Sequence, residues 1–132
     1  MDIFKTVVDI TGAKSMEGQI LDGQNIFKSY RGKGYKYLFW RRGVASAVRH
    51  ADWKLIKVDS TAGLLFNLKN DPREQFNVAL KYPKIASKLT SELEKWKKKM
   101  EAPKWYSSYG NYNQIMKHKM EVQGREQERK YL

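Results

Sequence analysis

There is not one cysteine among the 132 residues. Disulfides, thiolate metal sites and cysteine nucleophiles are thereby excluded together. Histidine is nearly as scarce: only His50 and His118 are present, too few for a histidine-rich metal centre. No apolar run approaches the ~20 residues that a membrane-spanning helix requires. The opening stretch, MDIFKTVVDITGAK, does not read as a signal peptide, because it lacks a basic leader and acidic residues interrupt its apolar positions. Localisation therefore stays unassigned.

What is present is apolar enough to fold. Hydrophobic residues make up 41%, with four Trp, eight Tyr and five Phe, which argues against wholesale disorder. A chain of this length forms one domain at most and buries about 68–70% of its unfolded surface when compact. Lysine and arginine number 26 against 14 acids, a net charge of +12. That excess favours solubility and weak attraction to polyanions, and it does not bear on fold.

Hydrophobic spacing predicts the elements. Ile3, Phe4, Val7, Val8 and Ile10 follow a helical period that Gly12 ends, so Asp2–Ile10 is predicted as a short amphipathic helix. Residues 13–34 are glycine-punctuated loop, in which Leu21, Ile26 and Phe27 are expected to anchor on the core. Four strands follow at Tyr35–Arg41, Ser46–His50, Trp53–Val58 and Leu64–Leu68. Connections this short force antiparallel neighbours, hence a meander. Asp71-Pro72-Arg73-Glu74 has the form of a capping box and predicts a helical turn through Val78.

Pro83 then opens a long helix, Lys84–Met100. Its apolar residues Ile85, Leu89, Leu93, Trp96 and Met100 make one stripe. Packed on the sheet, that stripe gives an α+β fold: a four-stranded antiparallel sheet against a long C-terminal helix, with a short N-terminal helix. Pro103 stops the helix. The domain is expected over 1–104, with 1–12 and 13–34 at a junction. Residues 105–132 form a polar and aromatic tail, read as a marginal helix from Asn113 to Lys130 or as flexible chain.

Four blocks, in order, resemble the C-terminal subdomain of the sulfatases: Met1–Ala13, then Leu21-Asp22-Gly23, then Ala47-Val48-Arg49-x-x-Asp52-Trp53-Lys54-Leu55-Ile56, then Leu65-Phe66-Asn67-Leu68-x-Asn70-Asp71-Pro72-x-Glu74-x-x-Asn77. The helix through Trp96 completes the pattern. The flavour is similar to arylsulfatases and N-acetylgalactosamine-6-sulfatase-like enzymes, which act on sulfated sugars. Two positions depart from the family pattern: Lys5 stands where proline is usual, and Ala51 where glycine is usual. Gly tolerates positive φ cheaply and Ala does not, so the Ala51–Asp52 turn either uses negative φ or is strained.

The resemblance implies a parent sulfuric ester hydrolase whose catalytic block lies outside this sequence. Calcium and a formylglycine nucleophile are the family's cofactors, and the Cys- or Ser-x-Pro-x-Arg motif for the latter is absent here. The chain is thus expected to act as a structural, cleft-edge module without a catalytic or metal site of its own. Its partners would be the sulfatase catalytic domain or further copies of itself, through apolar surface on the Asp2–Ile10 helix and one sheet face. The family's usual compartments are periplasmic, secreted or lysosomal.

Few residues are candidates for binding. Arg49 and Lys54 can contact a sulfated ligand at a cleft edge, or else cover a solvent face and pair with Asp52 and Asp59. Trp40 and Trp53 can form a sugar-stacking platform, or else sit in the core. His50 beside Asp52 at a hairpin tip mimics an acid–base pair, although an exposed turn suits them equally. Lys95, Lys97, Lys98 and Lys99 read as a solvated helix face. The alternative function is a small basic nucleic-acid- or polyanion-binding protein, which charge and aromatic content permit but no motif specifies.

Overall fold

The computed structural model describes residues 2–19, 21–29, 34–58, 61–101, 114, 115, 117, 118 and 120–122. It divides into two compact units, Met1–Lys36 and Tyr37–Leu132. In the first unit, α1 spans Asp2–Thr11 and a single helical turn, α2, spans Ile26–Ser29. The polar side of α1 holds the following loop in place. Thr6 donates to the Asp2 carbonyl at 2.7 Å and accepts the Ile26 N–H at 2.9 Å. Asp2 accepts from the Tyr35 hydroxyl and from the Gln24 N–H. Asp9 is gripped by Lys5 at 2.7 Å and by Lys28 at 3.4 Å, and accepts from the Asn25 amide.

These contacts make the unit acid-sensitive. The Tyr35 hydroxyl, then the Gln24 N–H, hold the Asp2 carboxyl below its ordinary value of 3.8. Lys5 first and Asn25 second do the same for Asp9. A depressed carboxylate contributes stability that is full above the ordinary range and is lost as pH falls through the lowered value. Protection of the Gln24 and Ile26 amides against hydrogen exchange should therefore fall as pH drops below the ordinary carboxylate value of 3.8. Protection that does not change on acidification would refute this.

The apolar side of α1 is open. Ile3, Phe4, Val7 and Ile10 are all more than half exposed. Ile26 and Phe27, expected as core anchors, are exposed too, because the turn of α2 presents them outward while Asn25 is the buried residue. Leu21 is half-buried.

The second unit holds the sheet, in the order β1-β2-β3-β4 with all pairs antiparallel. Its strands are β1 Leu38–Arg42, β2 Ala45–His50, β3 Trp53–Val58 and β4 Leu64–Asn67. Val48 faces Leu55 across β2–β3, and Leu55 faces Leu65 across β3–β4. Those three line up on one face, where Leu89 and Leu93 of α3 (Pro83–Lys99) complete the core. Period-two alternation against a helical stripe of three and four is what allows the two surfaces to mesh. Phe39 stacks on Trp96 at 5.1 Å, and Trp53 meets Tyr82 edge-on at 4.9 Å.

Pro83 occupies the start of α3 without a side-chain cap before it, and Lys97, Lys98 and Lys99 complement its C-terminal dipole. Met100 lies beyond the helix in extended backbone and is 42% exposed, so it does not extend the buried stripe. Lys57 of β3 reaches Glu94 of α3 at 3.2 Å, with Lys97 at 3.6 Å from the same carboxylate. Burial raises the Glu94 pKa, but the two lysines outweigh it and leave the group lowered.

The predicted helical turn after Asp71 does not form. Glu74 has φ of +56°, which breaks any helix there. The Asp71 carboxylate instead accepts from the N–H groups of Gln75 and Phe76, while Glu74 turns away to Lys54. Extended chain then runs back along β4. The Asn77 amide oxygen accepts from the N–H groups of Leu65 and Ala79, and the Val78 N–H donates to the Leu65 carbonyl at 2.8 Å. An otherwise open sheet edge is covered.

Expected exposure of a whole sheet face is also corrected. On the face away from α3, Val58, Leu64 and Phe66 are buried. Among the described residues of that face, Trp40, Arg42 and Arg49 at its β1–β2 end are exposed. At the β2–β3 hairpin Ala51 has φ of +51°, the strained of the two options. Ala51→Gly is expected to stabilise the protein by about 0.5–1 kcal/mol, since relief of left-handed strain outweighs glycine's added entropy in the unfolded chain. Thermal denaturation showing no gain, or a loss, would count against it. Of the predicted C-terminal helix, residues 114, 115, 117, 118 and 120–122 are helical; the remainder lies outside the described residues.

Candidate functional site

Strand register sorts the candidate residues onto two faces. Arg49 pairs with Lys54 and with Leu38, and Trp40 pairs with Ala47. Trp40, Arg49 and Lys54 therefore share the face away from α3. His50 pairs with Trp53 on the helix side, where its ring stacks on Tyr37 at 4.6 Å. One residue of separation along β2 is enough to part Arg49 from His50, because side chains alternate. At the turn itself Asp52 is exposed, and its carbonyl accepts from the Leu68 N–H.

Lys54 is already engaged. Its ammonium lies 2.6 Å from Glu74, and both side chains are largely covered. Of the two partners expected for it, Asp52 is not the one it takes, and Asp59 lies outside the described residues. Arg49 is exposed, and its Nε donates to the Ala51 carbonyl at 3.0 Å. That bond steadies the guanidinium while also bracing the strained turn.

The tryptophans split differently from expectation. Trp53 packs against the core, whereas Trp40 is 48% exposed. Trp40 is the exposed one among the three described tryptophans. The difference follows from position: β3 is central and flanked on both sides, while β1 ends the sheet. Arg42, two residues beyond Trp40, projects on the same face and is exposed as well. Sequence reading missed Arg42, although the alternation Leu38-Trp40-Arg42 carried the signal.

The open end of the face thus presents one indole with an arginine further along its own strand and another diagonal to it on β2. An indole offers a flat apolar surface, and guanidinium groups offer forked donors for planar or tetrahedral oxyanions. Such a surface can bind. Bond breaking needs more: an activated nucleophile and concentrated charge or metal at the developing oxyanion. Among the described residues no group of three or more His, Asp or Glu side chains is placed to hold a metal ion. No described helix is long and apolar enough to cross a membrane.

No protein-family model and no curated protein matches the chain. Solved structures do. The chain is 27% identical to a carrageenan sulfatase, Ps i-CgsB, solved in complex with k-i-k-neocarrahexaose; the match covers 87% of this chain and 28% of that one, with a TM-score of 0.66. A glycosaminoglycan sulfatase from Bacteroides thetaiotaomicron matches at 24% identity over 74% of this chain and 24% of its own, with a TM-score of 0.62. A phosphonate monoester hydrolase of Agrobacterium radiobacter shares the fold at 22% identity and a TM-score of 0.55, covering 71% of this chain and 23% of that one. The chain spans about a quarter of the length of these enzymes. Its structural neighbours include sulfatases matched over a part of their length, and the chain is similar to them in a way consistent with a sulfatase C-terminal subdomain.

Proposed function

We propose that the chain serves as the C-terminal subdomain of a sulfuric ester hydrolase acting on sulfated sugars, of the arylsulfatase and N-acetylgalactosamine-6-sulfatase kind. The observation that carries this reading is the match of 87% of the chain to a carrageenan sulfatase, at 27% identity. In this role the sheet and α3 form a rigid support at the edge of a substrate cleft. Nucleophile, calcium and the groups that grip the scissile sulfate belong to another part of the enzyme. The apolar residues Ile3, Phe4, Val7 and Ile10 of α1 suit a contact with that part, being too exposed for a face with no partner.

The test is direct. Reading the coding DNA around the Met1 codon should reveal a Cys- or Ser-x-Pro-x-Arg motif in the same frame or in an adjoining gene. The polypeptides so encoded, purified together, should release sulfate from carrageenan or a glycosaminoglycan. Absence of both the motif and turnover would remove the proposal. A chain that sediments as a single monomer and binds no hydrophobic dye would remove the contact role of α1 alone. The rival reading, a basic nucleic-acid-binding protein, draws only on charge and aromatic content.

A further inference from the structure

Of the surfaces this fold exposes, the β1–β2 end of the sheet face away from α3 has the composition of a ligand site. Trp40 is half exposed on a terminal strand, where a smaller polar residue would serve folding better. Arg42 follows it at a spacing of about 7 Å along the strand. Arg49 sits diagonally across the β1–β2 pair and is held by its bond to the Ala51 carbonyl. Lys54, next on the same face, is paired with Glu74.

We propose that Trp40, Arg42 and Arg49 form a binding surface for a sulfated polysaccharide chain, in which the indole carries one pyranose ring and the arginines hold sulfate esters to its sides. Sugar rings present an apolar C–H face that stacks on an indole, and sulfate esters keep their charge at every physiological pH. Guanidinium forks suit those oxygens better than ammonium groups do. The surface contains no nucleophile or metal donor set, so it grips the polymer without cleaving it. It would hold a stretch of chain outside the reacting centre of the enzyme. The choice of sulfated sugar rests on the sulfatase reading; the placement of the three residues does not.

The test is calorimetric titration of the full 132-residue chain with a sulfated carrageenan hexasaccharide at about 150 mM salt, where loose polyelectrolyte attraction is screened. Trp40→Ala should weaken binding about tenfold or more, and Trp40→Phe should retain most of it. Arg42→Ala and Arg49→Ala should each weaken it several-fold, with Arg49→Lys only partly rescuing. Lys84→Ala combined with Lys88→Ala, on the exposed side of α3, should change it less than about twofold. An unsulfated hexasaccharide of the same backbone should not bind.

Several results would overturn the inference. One is equal loss from the α3 lysine pair and the Trp40 site; another is binding indifferent to Trp40→Ala. Tighter, Trp40-dependent binding of an oligothymidylate would reassign the surface to nucleic acid. Sulfate release by the complete enzyme with no binding by this chain sinks the surface and spares the sulfatase reading. Trp40-dependent binding of the hexasaccharide without any sulfatase activity does the opposite.

Discussion

Replacing Leu93 with alanine is expected to destabilise the second unit by about 2–5 kcal/mol, the range for truncating a fully buried leucine. Leu93 is completely buried, and with Leu89 it presses α3 onto Val48, Leu55 and Leu65. Nothing nearby can collapse easily into the gap, because the facing strand residues are held in register on both sides. Urea unfolding should register the loss through Trp96 and Trp53, which pack around the same helix. Leu80→Ala is the control, since Leu80 is 77% exposed and its removal should cost less than about 0.5 kcal/mol. Similar midpoints for the two variants would mean that α3 does not dock as described.

Asn77→Ala should be nearly as harmful, although it removes only a small polar group. Its amide oxygen serves two backbone donors, Leu65 and Ala79, each at 3.0 Å. Leu65 is fully buried, so its N–H would have no water to turn to. A buried donor left unpaired costs about 1–3 kcal/mol, and two of them give about 2–4 kcal/mol with allowance for the partial exposure of Ala79. The effect should be local as well as global. Exchange protection should fall first at Leu65 and Val78, along the edge of β4, before the β2–β3 pair is affected. Asn77→Asp, which keeps the acceptor, should lose much less. If both substitutions behave alike, the edge is held by something other than this side chain.

Asn77 also illustrates which parts of the resemblance are structural. Asp71, Glu74 and Asn77 belong to one block of residues, and each has a distinct mechanical task. Asp71 ties the turn, Glu74 binds Lys54, and Asn77 seals a strand. Spacing alone misassigned that block as a helix start. An Asp-Pro-x-Glu segment satisfies a capping box in a helix and satisfies a tight turn equally well. The positive φ at Glu74 settles the choice, and it is a consequence of where β4 and the returning chain must meet.

Most of the architecture was legible beforehand because it depends on periodicity. The loops between β1 and β2 and between β2 and β3 leave only antiparallel pairing available. The apolar stripe from Ile85 to Trp96 needs an apolar sheet face, and Val48, Leu55 and Leu65 supply one. Strand ends moved by a few residues at most, as from Tyr35–Arg41 to Leu38–Arg42. Burial at the margins was not legible in the same way. Met100 continues the helical spacing yet lies past the last turn, and Ile26 and Phe27 are apolar yet outward.

Local pattern, then, was sufficient for the meander and for the helix backing it, since both depend on short-range spacing; the resemblance to sulfatases was carried by blocks of residues in order. Which candidate residues share a surface was decided only when strands paired. Cross-strand register put Trp40 beside Arg49, sent His50 to the opposite side and brought Glu74, twenty residues distant, onto Lys54. Those neighbourhoods arise from contacts between distant parts of the chain, which no window along the sequence can weigh.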